Sequence, residues 1–356
     1  MEQSKELERY IISLINAIND DTSTYSKNVN VKLLKDKILV AFNSPTSFIL
    51  DNKLYFKIFD VLNVPLFPVI TLIPQDNMVV EEYDSENFMN KRCFSYPFRV
   101  GVPKRKKFET EEDFKKDISS GKWEIMQGVD INIKDLTSIA IASNSGGGKS
   151  YLIYQFLLYF KEIGADLIIV DGKKDLPSKF AKENNLKLIT NDSKKSEDNV
   201  LSDVCEILNE FNAEIYERQH RLFTGEVKER DLKPIILVFD EIGALTNLAS
   251  KNIKENFFKL LTRIATLGRQ SNIHLLLSSQ RLDSNTIPTI IKEQCNVLIQ
   301  LGSLNSNHLQ YLFPDIKDRS ILLPKDDIEK GRGIISLNND VYTFLVPTIN
   351  NEVANG

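Results

Sequence analysis

The chain has 356 residues, 42% of them hydrophobic, which is enough for about two domains with ordinary cores. Its formal net charge of −4 excludes a polycation, so any nucleic-acid contact must come from local patches or a lumen shared between subunits. Cys93, Cys205 and Cys295 form no CxxC pair and the three histidines are scattered, which argues against a zinc knuckle, a disulfide framework or a histidine metal site.

The cysteine usage fits a reducing cytosol. The first residues are polar and acidic, unlike a secretory leader. No uncharged apolar run approaches the ~20 residues of a membrane-spanning helix. The longest candidate, 61–74, holds three prolines. The expectation is a cytoplasmic protein without a direct membrane span, recruited to a membrane only through a partner.

Residues 1–100 open with Leu7, Tyr10, Ile11, Leu14, Ile15 and Ile18 at helical spacing. Strand-like stretches follow near 30–41 and 66–73, so this part reads as a smaller N-terminal α+β domain of unknown role. Residues 101–121, GVPKRKKFETEEDFKKDISSG, are charged and poor in large apolar side chains, and read as a linker or exposed hairpin. Their cluster Lys104-Arg105-Lys106-Lys107 reads as solvated charge before phosphate contact. From 122 to 349, apolar strands at 136–142, 166–171, 234–240, 273–278 and 296–301 alternate with helical stretches. That rhythm predicts an α/β domain with a mostly parallel sheet and helices on both faces. The tail, 350–356, is expected to fray.

Residues 143–150 read Ser-Asn-Ser-Gly-Gly-Gly-Lys-Ser, against the phosphate-loop pattern GxxxxGK[ST]. Ser143 replaces the first glycine. An apolar strand enters this loop and an apolar helix leaves it at Tyr151, as a buried phosphate-loop helix would, and Tyr151 is expected to bind the nucleotide along with 145–150. Gly146, Gly147 and Gly148 let the backbone, from Ser145 onward, aim N–H groups at phosphate oxygens. Lys149 can reach the outer phosphates and Ser150 can ligate Mg²⁺, with the start of the following helix adding its positive end. Ile235 to Glu241, IILVFDE, is an apolar strand closing on two acids, the Walker B arrangement. There Asp240 would hold the metal and Glu241 would polarise the attacking water. The next strand ends in Ser279-Gln280-Arg281, where the Gln280 amide can sense the terminal phosphate. Asp171 and Lys173 close the second strand, on the edge that faces ligands in open parallel sheets. Arg263 and Arg269, which read as lying on the helix before the 273–278 strand, and Arg332 are candidates for an arginine donated across a subunit interface; each also reads as an ordinary surface residue.

Six blocks together resemble the FtsK/SpoIIIE family of DNA-translocating ATPases, and most of all its conjugative branch in Gram-positive bacteria. They are SGGGKSYLI (145–153), IIVDGKKDL (168–176), VFDEIGAL (238–245), LGRQ (267–270), SSQR (278–281) and KGRG (330–333). The resemblance implies a RecA-like P-loop ATPase core over 122–349 that binds ATP and Mg²⁺ and assembles as a homo-hexamer with DNA in its pore. It implies phosphate and metal roles for Lys149 and Ser150, Walker B roles for Asp240 and Glu241, a sensor role for Gln280 and an interface role for Arg269. A relaxase or membrane channel is the implied partner. Gly172 stands where the family usually has proline, and the N-terminal membrane helices usual in its coupling proteins are not seen. Two alternatives are a protein-translocating ATPase of the type VII secretion kind, and a nucleotide-dependent scaffold without catalysis.

Overall fold

A computed structural model describes residues 2–18, 29–42, 50–75, 77–84, 91–118, 121–191, 195–316, 321–323, 326–338 and 340–350. The chain divides into two compact units. One holds 1–103, 318–324 and 339–343; the other holds 104–317, 325–338 and 344–356.

In the first unit, α1 (Glu2–Ile18) buries Ile11 and Ile15 completely, the inward pair of the expected helical stripe. The 30–41 stretch is two strands rather than one. β1 (Val29–Leu33) and β2 (Lys37–Phe42) pair antiparallel, and the Leu34 N–H donates to the Lys37 carbonyl to close the turn. α2 (Asn52–Leu66) starts under a cap in which Asp51 accepts from the Leu54 N–H. β3 (Ile70–Leu72), β4 (Val80–Glu82) and β5 (Arg92–Val100) complete a sheet ordered β1-β2-β5-β3, with β4 also on β5. Tyr55 of α2 stacks on Tyr96 of β5 with centroids 4.5 Å apart. Their hydroxyls donate to the Ser95 and Tyr55 carbonyls, so these buried phenols leave no donor unpaired.

The second unit begins with β6 (Lys107–Phe108), α3 (Glu111–Asp117), β7 (Lys122–Met126) and β8 (Val129–Asn132). The stretch expected as a charged linker is therefore folded. Thr110 caps α3 by accepting from the Asp113 N–H, three acids occupy its first turn, and Phe114 is buried against Trp123. Then follow β9 (Ser138–Ser143), α4 (Lys149–Glu162), β10 (Asp166–Asp171), α5 (Leu176–Glu183), β11 (Lys187–Thr190), α6 (Glu197–Phe223), β12 (Ile235–Asp240), α7 (Ile242–Thr246) and α8 (Lys251–Leu267). β13 (Ile273–Ser279), α9 (Thr289–Glu293), β14 (Val297–Leu301), α10 (Ser306–Leu309), β15 (Arg332–Leu337), β16 (Asp340–Leu345) and β17 (Thr348–Ile349) close the chain. Beyond Asn350 the expected frayed tail lies outside the described residues.

The large sheet runs β11-β10-β12-β13-β9-β14-β15-β16. From β11 to β14 the strands are parallel; β15 turns antiparallel on β14. β9, β12 and β13 are buried at every position, so both faces of the sheet centre are covered. β13 lies between β9 and β12, and the register puts Asp171 beside Asp240 and Ser279 beside Ala142, all at one edge.

His274, near the start of β13, is 2% exposed and lies 3.0 Å from the Thr137 carbonyl and 2.8 Å from Asn272 Oδ1. Burial pulls its pKa down to about 4, against a weaker upward pull from the Thr137 carbonyl. Below pH ~6.5 the unfolded chain takes up a proton that the native imidazole refuses, so stability falls as pH drops from ~6.5 towards 4. Between pH 7 and 5 the loss from this residue should be about 2 kcal/mol. Urea midpoints for the parent and His274→Gln across that range test it; identical pH slopes would acquit His274.

Candidate active site

β9 delivers the chain to the ligand-facing edge of the sheet, and the glycine turn follows. Gly146 and Gly148 sit at φ +76° and +98°, where a side chain is strained. A Cβ on Gly147 would meet Ser143 Oγ at 2.3 Å, and one on Gly148 would meet the Gly331 backbone at 3.0 Å. The Gly331 N–H donates to the Gly147 carbonyl over 3.0 Å, so the KGRG block packs on the loop directly. Ser143 is fully buried and its hydroxyl donates to the Asn144 carbonyl, so the serine fills space behind the loop.

The two acids arrive from β12. Asp240 is its last residue; Glu241 turns left-handed, φ +56°, and starts α7. The end of β13 stands between them and the glycine loop, and supplies hydroxyls. Ser278 Oγ donates to Asp240 over 2.7 Å and Ser279 Oγ to Glu241 over 2.8 Å; the Gln280 N–H adds a bond to Glu241 at 3.1 Å. Lys149 Nζ spans the gap, 2.8 Å from Asp240 and 3.1 Å from Glu241. Lys173 Nζ reaches the same Glu241 oxygen at 2.8 Å.

Burial alone would raise the Glu241 carboxyl. The Lys149 charge, with hydrogen bonds from Lys173, Ser279 and the Gln280 N–H, overrides it and holds the pKa near 2. Burial likewise depresses Lys149, and the two acids more than reverse that, so its pKa is raised. Both groups are charged at neutral pH.

The remaining sequence candidates divide. Ser150 Oγ donates to Asp175 over 2.8 Å at the mouth of the site. Asp171, fully buried, accepts from the Lys173, Lys174 and Asp175 N–H groups and from Ser178 Oγ, so it staples the β10–α5 turn that aims Lys173. The Gln280 side chain is exposed and lines the cavity. Tyr151 lines it too, its hydroxyl engaged by Ile349. Arg332 bonds the Glu329 carbonyl through Nε and does not line the cavity. Arg269 lies in the turn Arg269–Ser271, beyond the end of α8, before β13 begins. It is exposed, about 20 Å along the strand from Gln280, out of reach of this site in its own subunit. Arg263 is elsewhere again, over the Tyr216 ring.

The sequence did not expose Arg105. Its guanidinium ion-pairs with Asp326 at 2.6 Å and donates to the Val346, Ile328 and Lys330 carbonyls. It therefore fastens the segment that carries Gly331. Lys106, next to it, is held by Asp117 and Glu124. The expected solvated cluster is half internal.

Together these walls enclose a cavity of about 1010 Å³. One end is a tight glycine turn, its Gly147 N–H donating to the Asn144 carbonyl over 3.0 Å, beside a buried ammonium, which fits a polyphosphate. The oxygens of Ser150 and Asp240 are hard donors, suited to Mg²⁺ held through few protein ligands and several waters. Among the described residues there is no cluster of three or more His, Cys, Asp and Glu for a cage-type metal site.

No family model matches the chain. Over 240 residues it is 24% identical to the FtsK domain-containing protein YdcQ of Bacillus subtilis (strain 168), covering 64% of this chain and 47% of that protein. With the DNA translocase FtsK of Staphylococcus epidermidis it shares 25% over 202 residues, 52% of this chain and 24% of the relative. The pCW3 conjugation coupling protein TcpA, solved in a monomer form with ATPγS, superposes with a TM-score of 0.56 at 18% identity, covering 96% of this chain and 94% of that one. The chain is similar to FtsK-domain proteins, and its second unit has the fold of a P-loop core. Its likeness to TcpA is one of fold, and it spans about half the length of YdcQ and a quarter of FtsK. Among the described residues of this FtsK-like chain, no helix is long and apolar enough to cross a membrane.

Proposed function

We propose that this FtsK-like chain hydrolyses ATP with Mg²⁺ and uses the energy to translocate DNA. The observation that carries the first half is Lys149 Nζ within hydrogen-bond reach of both Asp240 and Glu241, across the end of β13. The relative named a DNA translocase and the conjugation coupling protein of like fold support the second half.

Bound MgATP supplies a phosphoanhydride and a metal that neutralises charge on its oxygens. The protein's share is positioning and charge. Backbone N–H groups of 145–148 hold phosphate oxygens, and Lys149 exchanges its carboxylate partners for them. Ser150 and Asp240 hold the metal. Glu241, ionised and fixed by Ser279 and the Gln280 N–H, accepts the proton of the attacking water. Gln280 reports the terminal phosphate. Arg269 serves a neighbouring subunit, since its own site is out of reach, and Arg332 is the second candidate for that part. Trans arginines require an assembly, for which a homo-hexamer with DNA in its pore is the form proposed, serving a mobile element through a relaxase or channel partner.

The test is steady-state ATP turnover with and without single- and double-stranded DNA, beside a Lys149→Ala control. Turnover well above the control and stimulated by DNA is expected. Turnover at control level would leave a nucleotide-dependent scaffold; turnover indifferent to every DNA would favour a protein cargo of the type VII kind.

A further inference from the structure

The glycine loop occupies one end of a cavity at the upper limit of ordinary ligand pockets, which run to about 1,000 Å³. The opposite wall is built from residues far away in sequence. β17 runs parallel to β6, with Thr348 beside Lys107 and Ile349 beside Phe108. The Thr348 N–H donates to the Lys106 carbonyl and the Asn350 N–H to the Phe108 carbonyl, both over 2.9 Å. Lys107, Thr348, Ile349 and Asn350 all line the cavity.

This strap is also bolted to α4. Tyr151, the residue after Ser150, donates its hydroxyl proton to the Ile349 carbonyl over 3.0 Å and accepts the Ile349 N–H over 2.6 Å. One turn on, Gln155 Nε2 donates to the Pro347 carbonyl over 2.6 Å. Tyr151 thus leaves the phosphate loop where the phosphates end and fixes the wall beyond them. That wall offers the Thr348 hydroxyl, the Asn350 amide and the Lys107 stem, with Ile349 itself buried behind them, groups that suit a sugar and the polar edge of a base.

We propose that the β6–β17 strap is the nucleoside end of the pocket, and that Tyr151 is the positioning residue that sets affinity for base and sugar. The proposal rests on the reading that a nucleotide occupies the glycine loop. Tyr151→Phe removes both hydrogen bonds to Ile349 while β6 still pairs with β17, so the strap loosens without being lost.

Calorimetric titration of the full chain with MgATP and, separately, with magnesium tripolyphosphate isolates the effect. Without those bonds the strap should hold its place in about one molecule in ten, so Tyr151→Phe should weaken ATP binding about tenfold and leave tripolyphosphate within about twofold. Gln155→Met, which drops the Pro347 contact, should move the ratio of the two affinities the same way. Equal weakening of both ligands, or an unmoved ratio in both variants, overturns the proposal. Lys149→Ala separates it from the parent reading: that substitution should weaken both ligands, and if it weakens neither, the nucleotide reading fails first.

Discussion

Glu241→Gln should keep nucleotide binding and lose hydrolysis by a factor of about 10²–10⁴, the usual worth of a positioned general base. The substitution keeps shape and burial: glutamine can still accept from Ser279 Oγ and the Gln280 N–H. Lys149 keeps its 2.8 Å contact with Asp240, so the phosphate-binding cation stays in place. What disappears is the anion. In the structure that anion is held near pKa 2, too low for an efficient base, and the Lys149 charge is the foremost force lowering it. A phosphate competing for Lys149 would remove that force and make Glu241 more basic. Single-turnover hydrolysis alongside equilibrium binding measures the two effects separately. Parent-like turnover in the variant would strip Glu241 of the role.

Arg105→Met should destabilise the second unit by about 3 kcal/mol, the scale for deleting a buried cation and leaving its acceptors unpaired. The Arg105 side chain is 3% exposed and serves one carboxylate and three carbonyls. Asp326 is 21% exposed and can rehydrate, which keeps the cost below that of stranding a fully buried anion. Arg105→Lys should recover little, because a single ammonium cannot span four acceptors arranged around a planar fork. Denaturant midpoints of the three proteins decide it; a loss under ~0.5 kcal/mol would show the buried cation to be dispensable.

The parts of the site legible in sequence were those whose chemistry is local. Glycines at 146–148 followed by Lys149 and Ser150, and two acids after an apolar strand, carry their meaning within a few residues. Strands such as 166–171 were bounded well because both faces of the sheet are covered and their apolar runs are continuous. Arg105 was illegible because its partners lie more than two hundred residues away, and charge alone does not tell solvent from a ring of carbonyls. The helix at 111–117 was legible but unread: Thr110 three residues before Asp113, with acids in the first turn, is a helix-start signature. α2 was missed similarly, although Tyr55, Ile58, Phe59, Leu62 and Leu66 keep helical spacing. Arg269 was placed on the helix before β13, and the helix ends two residues short of it, at Leu267.

Gly148 meets Gly331 backbone to backbone, and an added Cβ on Gly331 would in turn lie 3.0 Å from Val346 and 3.1 Å from the Arg105 guanidinium. Four pieces of chain from opposite ends of the unit are thus stacked with no slack. A methyl group at Gly148 would press on the Gly331 main chain, and one at Gly331 on the Val346 and Arg105 side chains, so at either glycine a neighbour must give way. The shape of the phosphate cradle is therefore a joint property of residues near 105, 148, 331 and 346, and none of these segments can drift in volume on its own.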